Sequence, residues 1–330
     1  MTISLARTAP LHSAATFGAL AYSTFLLLPL WLPQTSYADE KSNTPQTRNR
    51  VTKPELTLKD SSVTLYAAGD IADCRKTPPE QSMAARTADL VDAALTQDKN
   101  ANALTLGDNT YPIGKPEEFR ECYDKTWGKF KTRTLPSPGN HDYGVPMAAG
   151  YYNYFDELAG TERRGYYQKK LGNWLILSLN SNIKAQAMQA QLQWLKNTLK
   201  EYQGKCVLAF WHHPVVSSGA HGNQSVMQDA WTILADAKAD LILSSHDHHY
   251  ERFTALNAQG LPDPKNGIPS FVVGTGGANL TPLFLIKNGS AFRQNEQHGV
   301  LKLQLHTSTY QWEFVSSTHK VLDRGQANCH

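Results

Sequence analysis

Five short polar segments constrain this chain more than any other feature: GDIAD (69–73), GDNTY (107–111), GNHD (139–142), FWHHP (210–214) and SHDHHYER (245–252). Together they offer Asp, Asn, Tyr and His, donors that suit hard and borderline cations, and they contain no Cys, which argues against a thiolate site of the structural zinc kind. Singly, each is ordinary turn chemistry, in which Gly, Asn and Asp serve the backbone. Recurring in order, they read as the donor set for a pair of metal ions.

The surroundings of these segments predict a parallel α/β framework. VTLYAA (63–68) runs into the first segment, ANALTL (101–106) into the second, and apolar strands at 206–211 and 241–244 into the last two. Four of the five motifs therefore follow a buried strand, and loops outside the carboxyl ends of strands are where α/β proteins gather ligands. Residues 80–97 are helix formers between the first two strands, a βαβ unit with a right-handed crossover. Further helices are expected at 116–125, 148–158, 186–200 and 225–237. The third is the clearest, with Met188, Leu192, Leu195 and Leu199 on one face. Segments 166–170 and 173–179 bracket Leu171-Gly172 as a hairpin, and 272–278, 299–305 and 309–315 close the domain as strands.

Residues 1–38 carry one basic residue (Arg7), an apolar run at 14–32 and the ending Ser36-Tyr37-Ala38. This is the pattern of a signal peptide cleaved after Ala38, which implies a secreted or periplasmic protein. The rival is a retained anchor, since the run approaches the roughly 20 residues that span a bilayer. Residues 39–60 read as a polar disordered leader, 61–318 as one catalytic domain and 319–330 as a C-terminal tail. The chain has 32 Lys plus Arg against 29 Asp plus Glu, a balance that gives no reason to expect a nucleic-acid partner or, once a signal is removed, membrane association. Four cysteines, Cys74, Cys122, Cys206 and Cys329, permit disulfides in an exported protein, with three pairings open. Cys74 and Cys122 each lie shortly beyond a ligand loop, which favours that pair; Cys206 also reads as a buried small hydrophobe.

With these motifs in hand, the chain resembles the calcineurin-like metallophosphoesterases, and among them the purple acid phosphatases, from about residue 63 to 315. The superfamily has Asp-x-His in its first motif, whereas here Asp70 is followed by Ile71 and Ala72. GDNTY supplies the GDxxY pattern in which purple acid phosphatases use a tyrosine ligand. The resemblance implies an α/β fold, a four-layer αββα sandwich of two mixed β-sheets flanked by helices. It implies Asp70, Tyr111 and His248 on a first metal, Asn140, His212 and His246 on a second, and Asp108 bridging them. A phenolate favours Fe(III) in the first position, with Fe(II), Zn(II) or Mn(II) in the second. The implied reaction is attack of a metal-bound hydroxide on small-molecule phosphomonoesters, at a centre left net positive by its ligands.

His221, nine residues beyond His212, resembles the family's leaving-group acid, the alternative being an exposed loop residue; His141 resembles its substrate-facing histidine, with Asp142 either orienting the His141 ring or stabilising the turn. The family's H-x-P pattern selects His212 and leaves His213 to packing. Ser245 stands where the family has Gly, which bears on metal geometry. Arg252 is expected in a structural ion pair, Trp211 as a possible wall of the site, and Tyr143, Tyr151 and Tyr152 as cleft or core. Alternative readings are a phosphodiesterase or nucleotidase with the same metals and, more remotely, a non-catalytic ligand-binding protein.

Overall fold

Strand order explains how segments so far apart in sequence meet. In the computed structural model, which describes residues 62–330 except Gln203 and Lys205, β1 (Val63–Ala68), β2 (Asn102–Leu106) and β3 (Thr134–Ser137) run parallel. With β11 (Gly299–Leu305), β12 (Thr309–Ser316) and β13 (Val321–Asn328) they form a six-stranded sheet ordered β13-β12-β11-β1-β2-β3. The second sheet holds β4 (Tyr167–Leu171), β5 (Trp174–Ser178), β6 (Cys206–Phe210), β7 (Leu241–Ser244), β8 (Tyr250–Leu256), β9 (Ile268–Val273) and β10 (Ser290–Gln294). Its order is β10-β8-β9-β7-β6-β5-β4, with β5, β6, β7 and β9 parallel. The expected signal, its cleavage point and the polar leader lie outside the described residues. Among the described residues no helix is long and apolar enough to cross a membrane.

Side-chain alternation builds the layers. On β6, Cys206, Leu208 and Phe210 join the core shared with the first sheet, whereas Val207 and Ala209 join a separate core on the outer face. β5 divides likewise, with Trp174 and Ile176 on one side and Leu175 and Leu177 on the other. The outer face is covered by α4 (Ala185–Glu201) and α5 (Gln228–Asp236). Leu195 of α4 is fully buried there, which contributes on the order of 2 kcal/mol. α1 (Met83–Gln97), capped by Ser82 Oγ accepting from Ala85 N at 3.1 Å, buries Ala84, Ala88, Val91 and Leu95. Beyond it, α2 (Pro116–Glu118) runs into a π turn, and α3 (Ala149–Phe155) adds an aromatic cluster of Phe119, Tyr123, Tyr151 and Phe155. The fold is α/β: two mixed sheets with flanking helices.

Two features depart from the sequence reading. GNHD also follows a strand, β3, which is only four residues long and contains Pro136; as an edge strand it tolerates a residue without an N–H. Residues 319–330, expected as a tail beyond the domain, include β13, the opposite edge of the same sheet. Polar anchors hold this weakly apolar strand. Asp323 accepts from Arg252 Nε (2.7 Å) and Tyr250 Oη (2.8 Å) of β8, so Arg252 is an ion-pair residue that ties one sheet to the other. Cys329 closes the end through a disulfide to Cys206, and Cys74 pairs with Cys122; Cys206 is thus buried but not a lone hydrophobe.

The Cys206–Cys329 bridge closes a separation of 123 residues, and loop-closure entropy sets its value at about 5 kcal/mol. A Cys206→Ser/Cys329→Ser double variant should lose stability of that order in urea unfolding. An unchanged midpoint would show that β13 needs no covalent anchor.

Candidate metal centre

All five motifs sit at the C-terminal ends of parallel strands, three in the first sheet and two in the second. Asp70, Asp108 and His246 take left-handed backbone conformations, with φ of 57°, 50° and 68°. That conformation is uncommon outside glycine and clusters at functional sites. Each stands two residues beyond the end of its strand, where the turn brings its side chain into one cluster with His212.

The seven expected donors form two triads with a shared carboxylate. Tyr111 Oη lies 3.1 Å from Asp70 Oδ1 and 3.3 Å from His248 Nε2, and the last two are 3.3 Å apart. Opposite, His212 Nε2 lies 3.0 Å from Asn140 Oδ1 and 3.2 Å from His246 Nδ1. Asp108 Oδ2 stands between them, 3.3 Å from both Tyr111 Oη and His212 Nε2. Asp70, Asp108, Tyr111 and His212 are buried, His246 and His248 half-buried, and Asn140 exposed. The anionic floor is therefore dry and the rim open.

These atoms fit cations. Ligands at about 2.1 Å from an ion and at right angles to each other are about 3 Å apart, which is the spacing within each triad. His212 Nδ1 faces Leu106 O at 3.0 Å and His248 Nδ1 faces Asn279 O at 2.7 Å. Donation to those carbonyls puts the proton on Nδ1 and leaves the Nε2 lone pair for a metal. His212 Nε2 and His246 Nδ1, 3.2 Å apart, need a positive centre between them. A proton supplies it in the metal-free protein. Burial opposes charging His212, but the adjacent Asp108 raises it to about 9; burial and then His212 push His246 down to about 2. Burial likewise opposes His248, yet Asp70 raises it to about 9. Burial disfavours ionised Asp70 too, but the charge and hydrogen bond of His248 hold it below the usual carboxylate range. The Tyr111 phenol, buried beside Asp70 and Asp108, is pushed well above 10.

A second set of carboxylates holds the loops. Asp142 takes the second of its two expected roles: it accepts Gly139 N (2.8 Å) and Asn109 N and Nδ2 (3.2 and 2.9 Å), pinning GDNTY to GNHD rather than orienting His141. Burial and then the Asp108 charge raise it to about 7. The His141 ring is oriented by Pro112 O, 2.5 Å from Nδ1, which leaves Nε2 3.8 Å from Asp108 Oδ2. The sequence reading passed over Asp247, between the two histidines of the last motif. It is fully buried and accepts His221 N (2.8 Å), Gly222 N (3.2 Å) and Ser217 Oγ. Glu251 accepts Ser218 N and Oγ at 2.9 and 2.6 Å. The signal was present: a carboxylate between two histidines that face one cluster points away from them, and a buried one needs donors.

His221 itself is exposed, its ring 4.3 Å from that of His246. His213 also approaches, 4.5 Å from the His246 ring, but Ser181 Oγ takes its Nδ1 at 2.8 Å. Ser245 disturbs nothing. Its hydroxyl donates to Leu106 O at 2.6 Å and meets His212 Nδ1, and it fits because residue 69 has no Cβ, which would lie 2.2 Å from Ser245 Oγ. Gly139 is needed for the same reason, since a Cβ there would lie 2.1 Å from Asp108 Oδ1. Trp211 packs on Trp231 in the outer core and does not wall the site; Tyr151 and Tyr152 are core, while Tyr143 reaches a cleft.

The two raised histidines fix a pH dependence. A group whose folded value lies above its unfolded one, about 6.5 for His, stabilises fully below that pH and loses its contribution as pH rises through about 9. Chelator-treated protein should therefore melt at progressively lower temperature from pH 7 to 10. Metals should flatten that fall and, added at pH 8, should release protons. A chelated protein with a flat profile would contradict this electrostatic arrangement.

Residues 61–250 match the family described as calcineurin-like phosphoesterase. A stretch of 108 residues is 31% identical to "Probable purple acid phosphatase 20" of Arabidopsis thaliana, covering 30% of this chain and 25% of that protein. Among solved structures, the purple acid phosphatase PPD1 from yellow lupin (Lupinus luteus) seeds superposes with a TM-score of 0.64 at 16% identity, over 82% of this chain and 54% of that one. GAP50, the anchor in the inner membrane complex of Plasmodium, gives 0.63 at 16% identity over 82% and 90%. The chain thus spans about a quarter of the curated relative and about half of the lupin enzyme. Matched over more than half its length and built around a donor set for two metal ions, this chain belongs to the calcineurin-like phosphoesterase family and is purple acid phosphatase-like.

Proposed function

We propose that this protein is an exported phosphatase that hydrolyses phosphate monoesters, with Asp70, Tyr111 and His248 holding one metal, Asn140, His212 and His246 the other, and Asp108 shared. The observation that carries the reading is the pair of donor triads meeting at Asp108 Oδ2, 3.3 Å from a donor of each. When bound, two such ions act as Lewis acids on phosphoryl oxygens and make water nucleophilic near neutrality. The phenol supports Fe(III) at the first position: with carboxylates 3.1 and 3.3 Å away, it ionises only beside a strongly acidic cation. Fe(II), Zn(II) or Mn(II) suits the Asn and His donors of the second.

The chain's own groups do the rest. His141, with its ring held at Nδ1 by Pro112 O, presents Nε2 to a phosphoryl oxygen. His221, its backbone fixed by Asp247, gives a proton to the departing alkoxide as the ester P–O bond breaks and the oxygen of water forms the new one. GAP50 shares the fold and is described as an anchor, so the fold alone does not distinguish enzyme from scaffold; the complete donor set supports the enzyme. A phosphodiesterase would use the same centre. The two imidazoles of His141 and His221 on the same rim, one for a phosphoryl oxygen and one for the leaving group, support the monoester reading.

His221→Ala should lower kcat about hundredfold on an alkyl phosphate and much less on 4-nitrophenyl phosphate, whose leaving group needs no proton. Equal losses on both would remove His221 as the acid. Iron-loaded protein should absorb in the visible through phenolate-to-Fe(III) charge transfer, and Tyr111→Phe should abolish the band; a colourless active protein would refute the ferric assignment. Faster turnover of bis(4-nitrophenyl) phosphate than of the monoester would favour the diesterase.

A further inference from the structure

A cleft of about 320 Å³ opens beside the metal centre, walled by residues that include Asn140, Tyr143, Asn182, Lys184, His213 and Gln224. Two of these belong to the centre's own wall: Asn140 Oδ1 is 3.0 Å from His212 Nε2, and the His213 ring is 4.5 Å from that of His246. Gln224 Nε2 donates to the backbone oxygen of His221 at 3.1 Å. The cleft therefore adjoins both the centre and the loop that carries His221. An ester with its phosphoryl group at the metals has this space for its alcohol.

The lining states what kind of alcohol. The Asn182 amide donates to Pro138 O at 2.9 Å and Asn180 Oδ1 at 3.4 Å, and one N–H of Gln224 is held as above, so both side chains are oriented and each amide oxygen is left to accept. Acceptors fixed in this way suit hydroxyl groups. Lys184 adds a cation in an unfavourable place. It is the N-cap of α4, where the helix dipole disfavours positive charge; no acid occupies the first turn, and no carboxylate pairs with it among the described residues. Lys184 is exposed, so solvent offsets that cost, and its ammonium stands at the wall of the cleft with no partner among the described residues, placed to meet an anion there.

We propose that this cleft is the leaving-group subsite and that it selects esters whose alcohol carries hydroxyls and a second anionic group, as in a sugar bisphosphate, with Lys184 meeting the second anion. The inference rests on the phosphomonoesterase reading above and names its substrate class. It is tested with metal-loaded full-length protein, wild type and Lys184→Gln, on fructose 1,6-bisphosphate, 1,3-propanediol bisphosphate and 4-nitrophenyl phosphate.

The substitution should raise KM for both bisphosphates about tenfold at unchanged kcat and leave the aryl ester within about twofold. Wild type should also prefer the hydroxylated bisphosphate. Equal effects on all three esters, or none, would overturn the role of Lys184; equal KM for the two bisphosphates would overturn that of Asn182 and Gln224. Should no ester turn over, the phosphatase reading fails, and titration calorimetry still decides the subsite. Fructose 1,6-bisphosphate must then bind wild type more tightly than inorganic phosphate does, and that advantage must disappear in Lys184→Gln.

Discussion

At the end of β2, the buried Asp108 carboxylate has one oxygen between the donor triads and the other accepting His141 N at 2.8 Å. A dry carboxylate among further anions is costly unless positive charge surrounds it. Here burial opposes charging His212 and His248, but Asp108 and Asp70 raise them to about 9, so they are placed to supply that charge, in positions that suit metal ions. The remaining geometry serves this balance: the left-handed turns that deliver Asp70, Asp108 and His246, the absence of a Cβ at Gly139, and the carbonyls that orient the histidines.

Around the centre, acidic groups divide into two kinds of work. Asp70 and Asp108 face the space for the ions. Asp142, Asp247 and Glu251 face outward and collect backbone and hydroxyl donors from neighbouring loops. Asp247 is the most economical of these, because the turn that presents His246 and His248 also fixes the backbone of His221. Donor positions and the loop that carries the proposed acid are therefore mechanically one unit. Motion of either would disturb the other, which is the rigidity that catalysis by positioned groups requires.

The two-sheet architecture makes such convergence possible. Each sheet directs its parallel strands so that their carboxyl ends reach the same edge of the sandwich, and the tie from Tyr250 and Arg252 to Asp323, with the Cys206–Cys329 bridge, holds the sheets in register. The C-terminal strand thereby stabilises a site to which it contributes no donor.

Much of this was legible in the chain. Strands ending in Gly-Asp, the spacing of Leu192, Leu195 and Leu199, and the succession of five motifs announce their elements because periodicity and turn chemistry are local properties. Residues 134–137 and 321–328 did not announce theirs: an edge strand with a proline, and one held by ion pairs and a disulfide, have little apolar pattern to display. Sequence likewise determined which residue types could bind cations, since donor chemistry belongs to the side chain. Tertiary structure alone decided which acid faces the ions and which faces the loops, that Pro112 rather than Asp142 orients His141, and that Trp211 turns away. Those outcomes depend on distances between strands remote in sequence, and burial, which sets the energy of every charge in the centre, exists only once the sheets have packed.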